Sequence, residues 1–421
     1  MKINSVFPLS NIIFLKNAEI HFFLFSPLDN IKVFDYNLKP ELYTLKAKKN
    51  ARRNRKGENM EKWDKDKAWT WYNSRPWMRG CNYLPSDCCN RIEMWQSLDF
   101  DIHMKTMEQE FALMQSIGYN SIRVILEYIV YKEEHDSFLE RFERFLSLAA
   151  KYGLSVMVCF GNDCTVPKNS GAREPRLGIQ EYDRGYHGGR KVSPHGSNPG
   201  KIGYSLLDDP ESATAFFRMV QEIVTRYAQD ERICIWDLFN EPGNCNRGDL
   251  SVPHVVRIFE TARTCNPVQP LTSGAWSSVS ALTAAERTAL ENSDIISFHG
   301  YCQYGEMIEK ILYYRKFGYP MLNTEWLCRP LFNNVQEMFP LFLLEKIGCW
   351  NWGFVAGKSQ TYEPWESMWQ SVDENPDSNI DLTKWQHDLF RINLRPYDPK
   401  EIAVIKKYSG LADRIFAEKI W

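Results

Sequence analysis

Residues 233–242 read Ile-Cys-Ile-Trp-Asp-Leu-Phe-Asn-Glu-Pro. The first seven form a short, almost continuous apolar run. That pattern suits a parallel strand covered on both faces. The run ends abruptly in Asn240-Glu241-Pro242. A carboxylate delivered at the end of a buried strand stands where parallel α/β folds place their reactive groups. Helical patterns flank the run. Pro210–Tyr227 precedes it, with Asp209 as N-cap and Pro210 in the first turn, and Val252–Thr264 follows.

The same alternation extends in both directions. Strands are expected at Met78–Leu84, Ser121–Leu126, Leu154–Phe160, Ile233–Phe239, Pro270–Ala275, Asp294–His299, Pro320–Glu325 and Gly348–Phe354. Helical spacing marks His103–Ile117, Phe138–Tyr152, Leu282–Leu290, Tyr304–Phe317, Phe332–Lys346 and, last, Pro399–Lys407. Eight strand–helix units in one chain predict an α/β fold, a single (β/α)8 TIM barrel. A doubly wound open sheet is the alternative. It would place a G-x-G-x-x-G loop after the first strand, where this chain has GCNYLPSDCC. The longest connection, Gly161–Asp209, follows the third strand and is rich in Gly, Pro, Ser, Arg and His. Loops of that length are usually functional or disordered.

In such a barrel the chemistry gathers at the C-terminal strand ends. There the sequence offers Arg123 on the second strand, Asn240-Glu241 on the fourth and His299-Gly300-Tyr301 on the sixth. Glu325 ends the seventh strand, and Trp352 stands on the eighth. Two carboxylates facing each other across a barrel mouth are what glycosidic cleavage needs, one protonating the leaving oxygen and the other attacking carbon or activating water. Arg123 is placed to keep Glu325 ionised, Tyr301 to donate to the same carboxylate, and Asn240 to hold a sugar 2-hydroxyl. His299 is placed to fix neighbouring groups or to touch the sugar. Glu241 is expected to titrate above its ordinary value and Glu325 below it. Asp163 and His187, after the third strand, are candidate sugar ligands. Lys358, Gln360 and Trp365 follow the eighth strand, where they would shape a subsite. Trp326, Trp350, Trp352 and Trp365 are read as clustering around the mouth. Arg123 has a structural alternative as the partner of Glu127.

These motifs resemble a known family. WDLFNEPGN, SFHGY, NTEW and NWGFVAGKSQT look like the retaining glycoside hydrolases of the clan that includes family 5 cellulases and mannanases. More narrowly, the chain is similar to bacterial barrels labelled cellulase-like or 1,4-beta-xylanase. It shares with them GCNYLPS, IRV, QPLTSGAW and the closing WQHDLFR…PYDPKEI. The resemblance spans about residues 75–405. It implies Glu241 as acid/base and Glu325 as nucleophile, with Arg123, Asn240, His299, Tyr301 and Trp352 in support. It implies a β-linked xylan-, glucan- or mannan-like substrate, and no cofactor or metal. Two departures set the chain apart from enzymes of the usual polysaccharides. Phe160-Gly161-Asn162-Asp163 stands where the family usually carries a histidine, and Gly243 follows Asn-Glu-Pro in place of a larger residue. A transglycosidase using the same glutamates and a non-catalytic carbohydrate-binding barrel are the alternatives.

Composition agrees with a globular protein. Of 421 residues, 44% are hydrophobic and 25% charged, which excludes a disordered or fibrous chain. Aromatics reach 14%, enough for sugar-stacking surfaces as well as core. The net charge of -2 hides two unlike parts. Residues 1–59 carry 11 Lys and Arg against 5 Asp and Glu, with seven basic residues in Lys46–Lys56, while the remainder is acidic. The expected organisation is an irregular, disordered basic extension, 1–59, ahead of a barrel, 60–421. Met60 would serve as a natural start. A nucleic-acid or membrane-surface arm is the alternative reading of the basic run, but the acidic barrel argues against a polyanionic partner. The 11 cysteines include no C-x-x-C pair and several sit in apolar runs, which suits free thiols in a reducing compartment. The N-terminus makes a poor signal peptide and no 18-residue apolar span exists, so a cytoplasmic protein with no membrane span is expected. Oligomeric state leaves no trace in the sequence.

Overall fold

Eight parallel strands alternate with helices from Arg79 to Trp352 and close on themselves. They are β1 (Arg79–Asn82), β2 (Ser121–Ile125), β3 (Ser155–Asn162), β4 (Ile233–Asn240), β5 (Leu271–Ala275), β6 (Ile296–His299), β7 (Met321–Trp326) and β8 (Ile347–Trp352). Each strand pairs with its sequence neighbours, and β8 closes on β1 through Cys349 opposite Arg79. This is the (β/α)8 barrel, with every strand within two residues of its expected ends. The computed structural model describes residues 61–167, 175–181 and 201–420, together with a short antiparallel pairing of Leu15–Lys16 with Glu19–Ile20. The chain divides into two units, Met1–Glu58 and Asn59–Trp421, and the barrel belongs wholly to the second. The basic run Lys46–Lys56 and the loop residues His187, Arg190 and His195 lie outside the described residues. Among the described residues, no helix is long and apolar enough to cross a membrane.

The strands run nearly fully buried, as their continuous apolar character requires. Their outer faces meet a ring of helices. At the N-terminal end, α1 (Lys65–Asn73) packs over the floor of the barrel. There Trp63, Ala68 and Tyr72 join Met157, Ile235, Leu322 and Trp350 in one buried cluster. The Trp63 N–H donates to Asp294 Oδ1 at 2.9 Å, and Tyr72 Oη donates to the Lys346 carbonyl at 2.9 Å. Both bonds bind this segment to the barrel.

The C-terminal helix Pro399–Ala417 runs ten residues beyond its expected end. Ser409 and Gly410 are weak helix formers, but packing overrides that local preference. Ser409 is buried, and a Cβ at Gly118 would come within 2.6 Å of the Ser409 Cβ. The small residues therefore permit a close approach, and Asp413 then pairs with both oxygens to the buried Arg79 at 2.8 Å. The tryptophans also divide differently from expectation. Trp326 and Trp350 are fully buried, Trp326 against Phe339 and Phe342 on the outer face and Trp350 in the floor cluster. They are core, not mouth.

Asp163 corrects a second expectation. It has no exposed surface and does not face the mouth as a sugar ligand would. Its Oδ2 accepts from the Gly243 N–H at 2.7 Å and from Ser251 Oγ at 2.5 Å, and its Oδ1 pairs with Arg247 Nε at 3.1 Å. It thus ties the loop after β3 to the loop after β4. Gly243 fits that tie because its φ of +84° lies in the left-handed region and a Cβ would sit 2.9 Å from Thr283 Oγ1. Arg247 keeps a second, half-exposed partner in Asp208 at 2.7 Å. Replacing Asp163 by Ala would still leave Arg247 buried beside an emptied pocket. Asp163→Ala should lower stability by about 3 kcal/mol, with Asp163→Asn losing less. Urea unfolding reads this as a lower midpoint at unchanged slope.

Candidate active site

The guanidinium of Arg123, on β2, is the centre of the mouth. It is buried, and its donors fan out to four side chains on three other strands. Nε donates to Asp237 Oδ2 at 2.8 Å, Nη1 to Asn82 Oδ1 at 2.6 Å and Glu325 Oε1 at 2.7 Å, and Nη2 to Asn240 Oδ1 at 2.7 Å. Burial disfavours its charge, but Asp237 and then Glu325 outweigh this and hold it above its ordinary range. Glu127, the alternative partner, instead faces Arg91 at 3.3 Å.

Irregular register places the carboxylates. Between β4 and β5, Asp237 pairs with Thr272 and Asn240 with Gly274, so three steps on β4 match two on β5. Residues three apart would face opposite sides of a regular strand. The extra residue turns both toward Arg123. Strand β7 does the same. It takes two steps from Asn323 to Glu325 against one step from Phe298 to His299 on β6. Glu325 is thereby swung inward while Trp326 stays outside. Immediately after β4, Glu241 adopts a left-handed φ of +47°, an uncommon conformation for a residue with a side chain.

Glu241 and Glu325 keep 8% and 7% of their surface exposed, so both reach the mouth although each is otherwise enclosed. One carboxylate oxygen of each and a ring nitrogen of His299 lie within 4.8 Å of one another. His299 Nδ1 stands 2.7 Å from Glu241 Oε1 and 3.4 Å from Glu325 Oε2. Both neighbours accept, so Nδ1 carries the hydrogen. Tyr301 Oη donates to Glu325 Oε2 at 2.8 Å. The Tyr301 ring meets the edge of Trp365, whose backbone N–H donates to Gln386 Oε1 at 2.7 Å. Trp352 is half-buried at the end of β8. Gln360 is buried, Lys358 reaches Glu93 at 3.4 Å, and Trp276 donates to the Pro242 carbonyl at 3.2 Å.

Three donors converge on Glu241. His299 takes Oε1, while Asn244 Nδ2 at 2.5 Å and Cys164 Sγ at 2.8 Å both take Oε2. Burial pushes its pKa up, but the His299 bond and charge, then Cys164 and Asn244, outweigh that and bring it down to about 2. This is the reverse of the expectation that Glu241 titrates above its ordinary value, and the cause is the set of donors on its two oxygens.

The structure therefore brings together Arg123, Asn240, Glu241, His299, Tyr301 and Glu325, leaves Asp163 behind the wall, and does not describe His187. Asn82, Asn162, Cys164, Asp237, Asn244 and His387 were not anticipated. Asn82 stands inside GCNYLPS and Asp237 and Asn244 inside WDLFNEPGN. His387 stands inside WQHDLFR. It is buried, its ring lies 5.5 Å from that of Tyr301, and burial lowers its pKa to about 3, which keeps it neutral. A second group of ligand-type atoms, Asp87, Cys88 and His103, lies behind the loop after β1. There Asp87 Oδ2 already accepts from Thr106 at 2.8 Å and lies 2.9 Å from His103 Nδ1, and burial holds the Cys88 thiol protonated.

Both the sequence and the fold have counterparts among known proteins. The family model for cellulase (glycosyl hydrolase family 5) matches residues 89–338. No curated protein matches the chain. Among solved structures, the family 5 mannosidase from Rhizomucor miehei superposes with a TM-score of 0.51 at 13% identity, covering 82% of this chain and 95% of that one. The GH5_18 protein from Streptomyces cattleya gives 0.51 at 12%, covering 82% and 81%. The exo-beta-1,4-mannosidase Op5Man5 from Opitutaceae bacterium strain TAV5 gives 0.50 at 17%, covering 81% and 60%. At these identities the likeness is one of fold, whereas the family match spans more than half of the chain. The chain belongs to glycosyl hydrolase family 5 and is a glycoside hydrolase.

Proposed function

We propose that the protein is a retaining β-glycosidase that cleaves a β-linked oligo- or polysaccharide of the xylan, glucan or mannan type by double displacement. The observation that carries the reading is the closeness of the two carboxylates, whose nearest ligand oxygens lie within 4.8 Å. Retaining enzymes hold the pair about 5–5.5 Å apart, whereas inverting enzymes leave room for a water between them. The mannosidase structures that share the fold are compatible with a mannose-type sugar.

The donors assign the roles. Glu325 faces a full guanidinium charge and a phenol. It stays an anion and attacks the anomeric carbon. Glu241 faces a histidine, an amide and a thiol, and it gives the proton to the departing oxygen. The carbon–oxygen bond to the leaving group breaks as the bond to Glu325 forms. In the second step Glu241 takes a proton from water, which attacks the same carbon and frees Glu325.

Three outcomes are expected. Glu325→Gln should lower kcat on aryl glycosides by about 10⁴-fold or more. Glu241→Ala should lose activity on poor leaving groups and retain much of it on dinitrophenyl glycosides, which need little protonation. The third concerns pH. The titratable groups around Glu241 are His299, Glu325, Tyr301, Cys164 and Cys245. With the Glu241 carboxyl held well below its ordinary value in the free enzyme by His299, Cys164 and Asn244, its protonated fraction falls about tenfold per pH unit toward neutrality. For poor leaving groups kcat/KM should therefore decline steadily from about pH 4 to 7, since that ratio reports the free enzyme. A plateau to neutral pH would contradict the donor arrangement.

A further inference from the structure

We propose that Cys164 is a positioning residue for the proton-transferring carboxylate, its thiol hydrogen holding Glu241 Oε2 in place. The inference rests on the reading of Glu241 as the acid/base.

Cys164 is the second residue beyond β3, and its placement is built rather than incidental. Asn162, the last residue of that strand, grips its backbone twice. The Cys164 N–H donates to Asn162 Oδ1 at 3.0 Å, and Asn162 Nδ2 donates to the Cys164 carbonyl at 3.2 Å. Asn162 Oδ1 also accepts from Asn240 Nδ2 at 2.9 Å, which locks the thiol-bearing turn to the residue before Glu241. The sulfur then receives two amide donors, Asn244 Nδ2 at 3.4 Å and Asn240 Nδ2 at 3.6 Å. A thiol has one hydrogen. With its acceptor side occupied by two groups that only donate, that hydrogen points to the acceptor in reach, Glu241 Oε2 at 2.8 Å.

The sulfur is suited to the task in two ways. Burial and the adjacent Glu241 charge push its pKa well above the ordinary thiol value, so it remains a donor and adds no further anion to the two carboxylates of the mouth. A thiol is also a weak donor. It orients the carboxylate without holding it as firmly as an ammonium or a hydroxyl would, so Oε2 can let go when it turns to the glycosidic oxygen. Asn244 acts from the same side, so Glu241 is fixed by one strand-end loop behind it and another beside it.

The test is the dependence of rate on leaving group, measured on the full chain. Loss of one donor to the Glu241 anion favours its protonated form. In Cys164→Ala the decline of kcat/KM with pH on alkyl glycosides should therefore begin about one pH unit higher than in the unaltered chain, the worth of one hydrogen bond to a charged group, while dinitrophenyl glycosides, which need little protonation, show no such displacement. Cys164→Ser, which keeps a donor, should restore the position of that decline. A Cys164→Ala profile that declines over the same range as that of the unaltered chain, or a loss equal for all leaving groups, marks a merely structural cysteine and overturns the proposal. If Glu241→Ala itself shows no leaving-group dependence, the acid/base reading falls and this proposal with it. A readout independent of turnover is the infrared S–H stretch that disappears in Cys164→Ala. It should lie below the position of a free thiol and move in Glu241→Gln. A band unmoved by Glu241→Gln would also overturn the contact.

Discussion

Everything at the barrel mouth depends on one buried cation. A guanidinium removed from water is tolerated only when its charge and its N–H groups are all answered. Arg123 meets that demand by drawing Asn82 from β1, Asp237 and Asn240 from β4, and Glu325 from β7 to a single point. Half of the strands are cross-tied at one level by the side chain of a fifth residue. The tie runs both ways. Asp237 is fully buried, and without Arg123 it would be an unpaired charge inside the barrel. The charge that orients Glu325 is thus the same one that pins the strand leading to Glu241.

That convergence needs an irregular sheet. In a regular pleat Asp237 and Asn240 could not both face Arg123, and Glu325 would follow Thr324 onto the opposite face. The register offsets on β4 and β7 remove both obstacles at the strand ends from which Glu241 and Glu325 emerge. The left-handed φ of Glu241 continues the same departure by one residue. Local geometry that a sheet would otherwise avoid is concentrated where the side chains must be aimed.

This explains which parts of the molecule could be read from the sequence. The eight strands were legible because continuous apolar runs between helical patterns have few other readings. Glu241 and Glu325 were legible because strand ends in a barrel face the mouth. What periodicity cannot show is which neighbour a polar group finds after the register shifts. Asp163 stands one residue past β3, where a sugar ligand would be expected, yet its carboxylate turns away to Gly243, Ser251 and Arg247. Cys164, the next residue, turns inward in its place. Trp326 follows Glu325 by one position and so falls on the opposite, fully buried face. Each of these assignments turns on a single step of alternation at a strand end, where the alternation breaks down.

The two carboxylates end up close together yet unequal. At such a distance two anions repel, and each raises the cost of ionising the other. The edge of one imidazole offsets this, since His299 Nδ1 faces both. The ring has little freedom to turn, because a Cβ at Gly274 would already lie 2.6 Å from its Nε2. Beyond that shared donor the environments diverge. Glu325 is anchored by a permanent charge that no change of pH removes. Glu241 is anchored by His299, an amide and a thiol, which hold an anion well in the open mouth. When a sugar excludes water, the repulsion between the two carboxylates strengthens. A proton that relieves it settles on Glu241, because protonating Glu325 would leave part of the Arg123 charge unanswered. The division of labour between two chemically identical groups follows from the placement of one arginine.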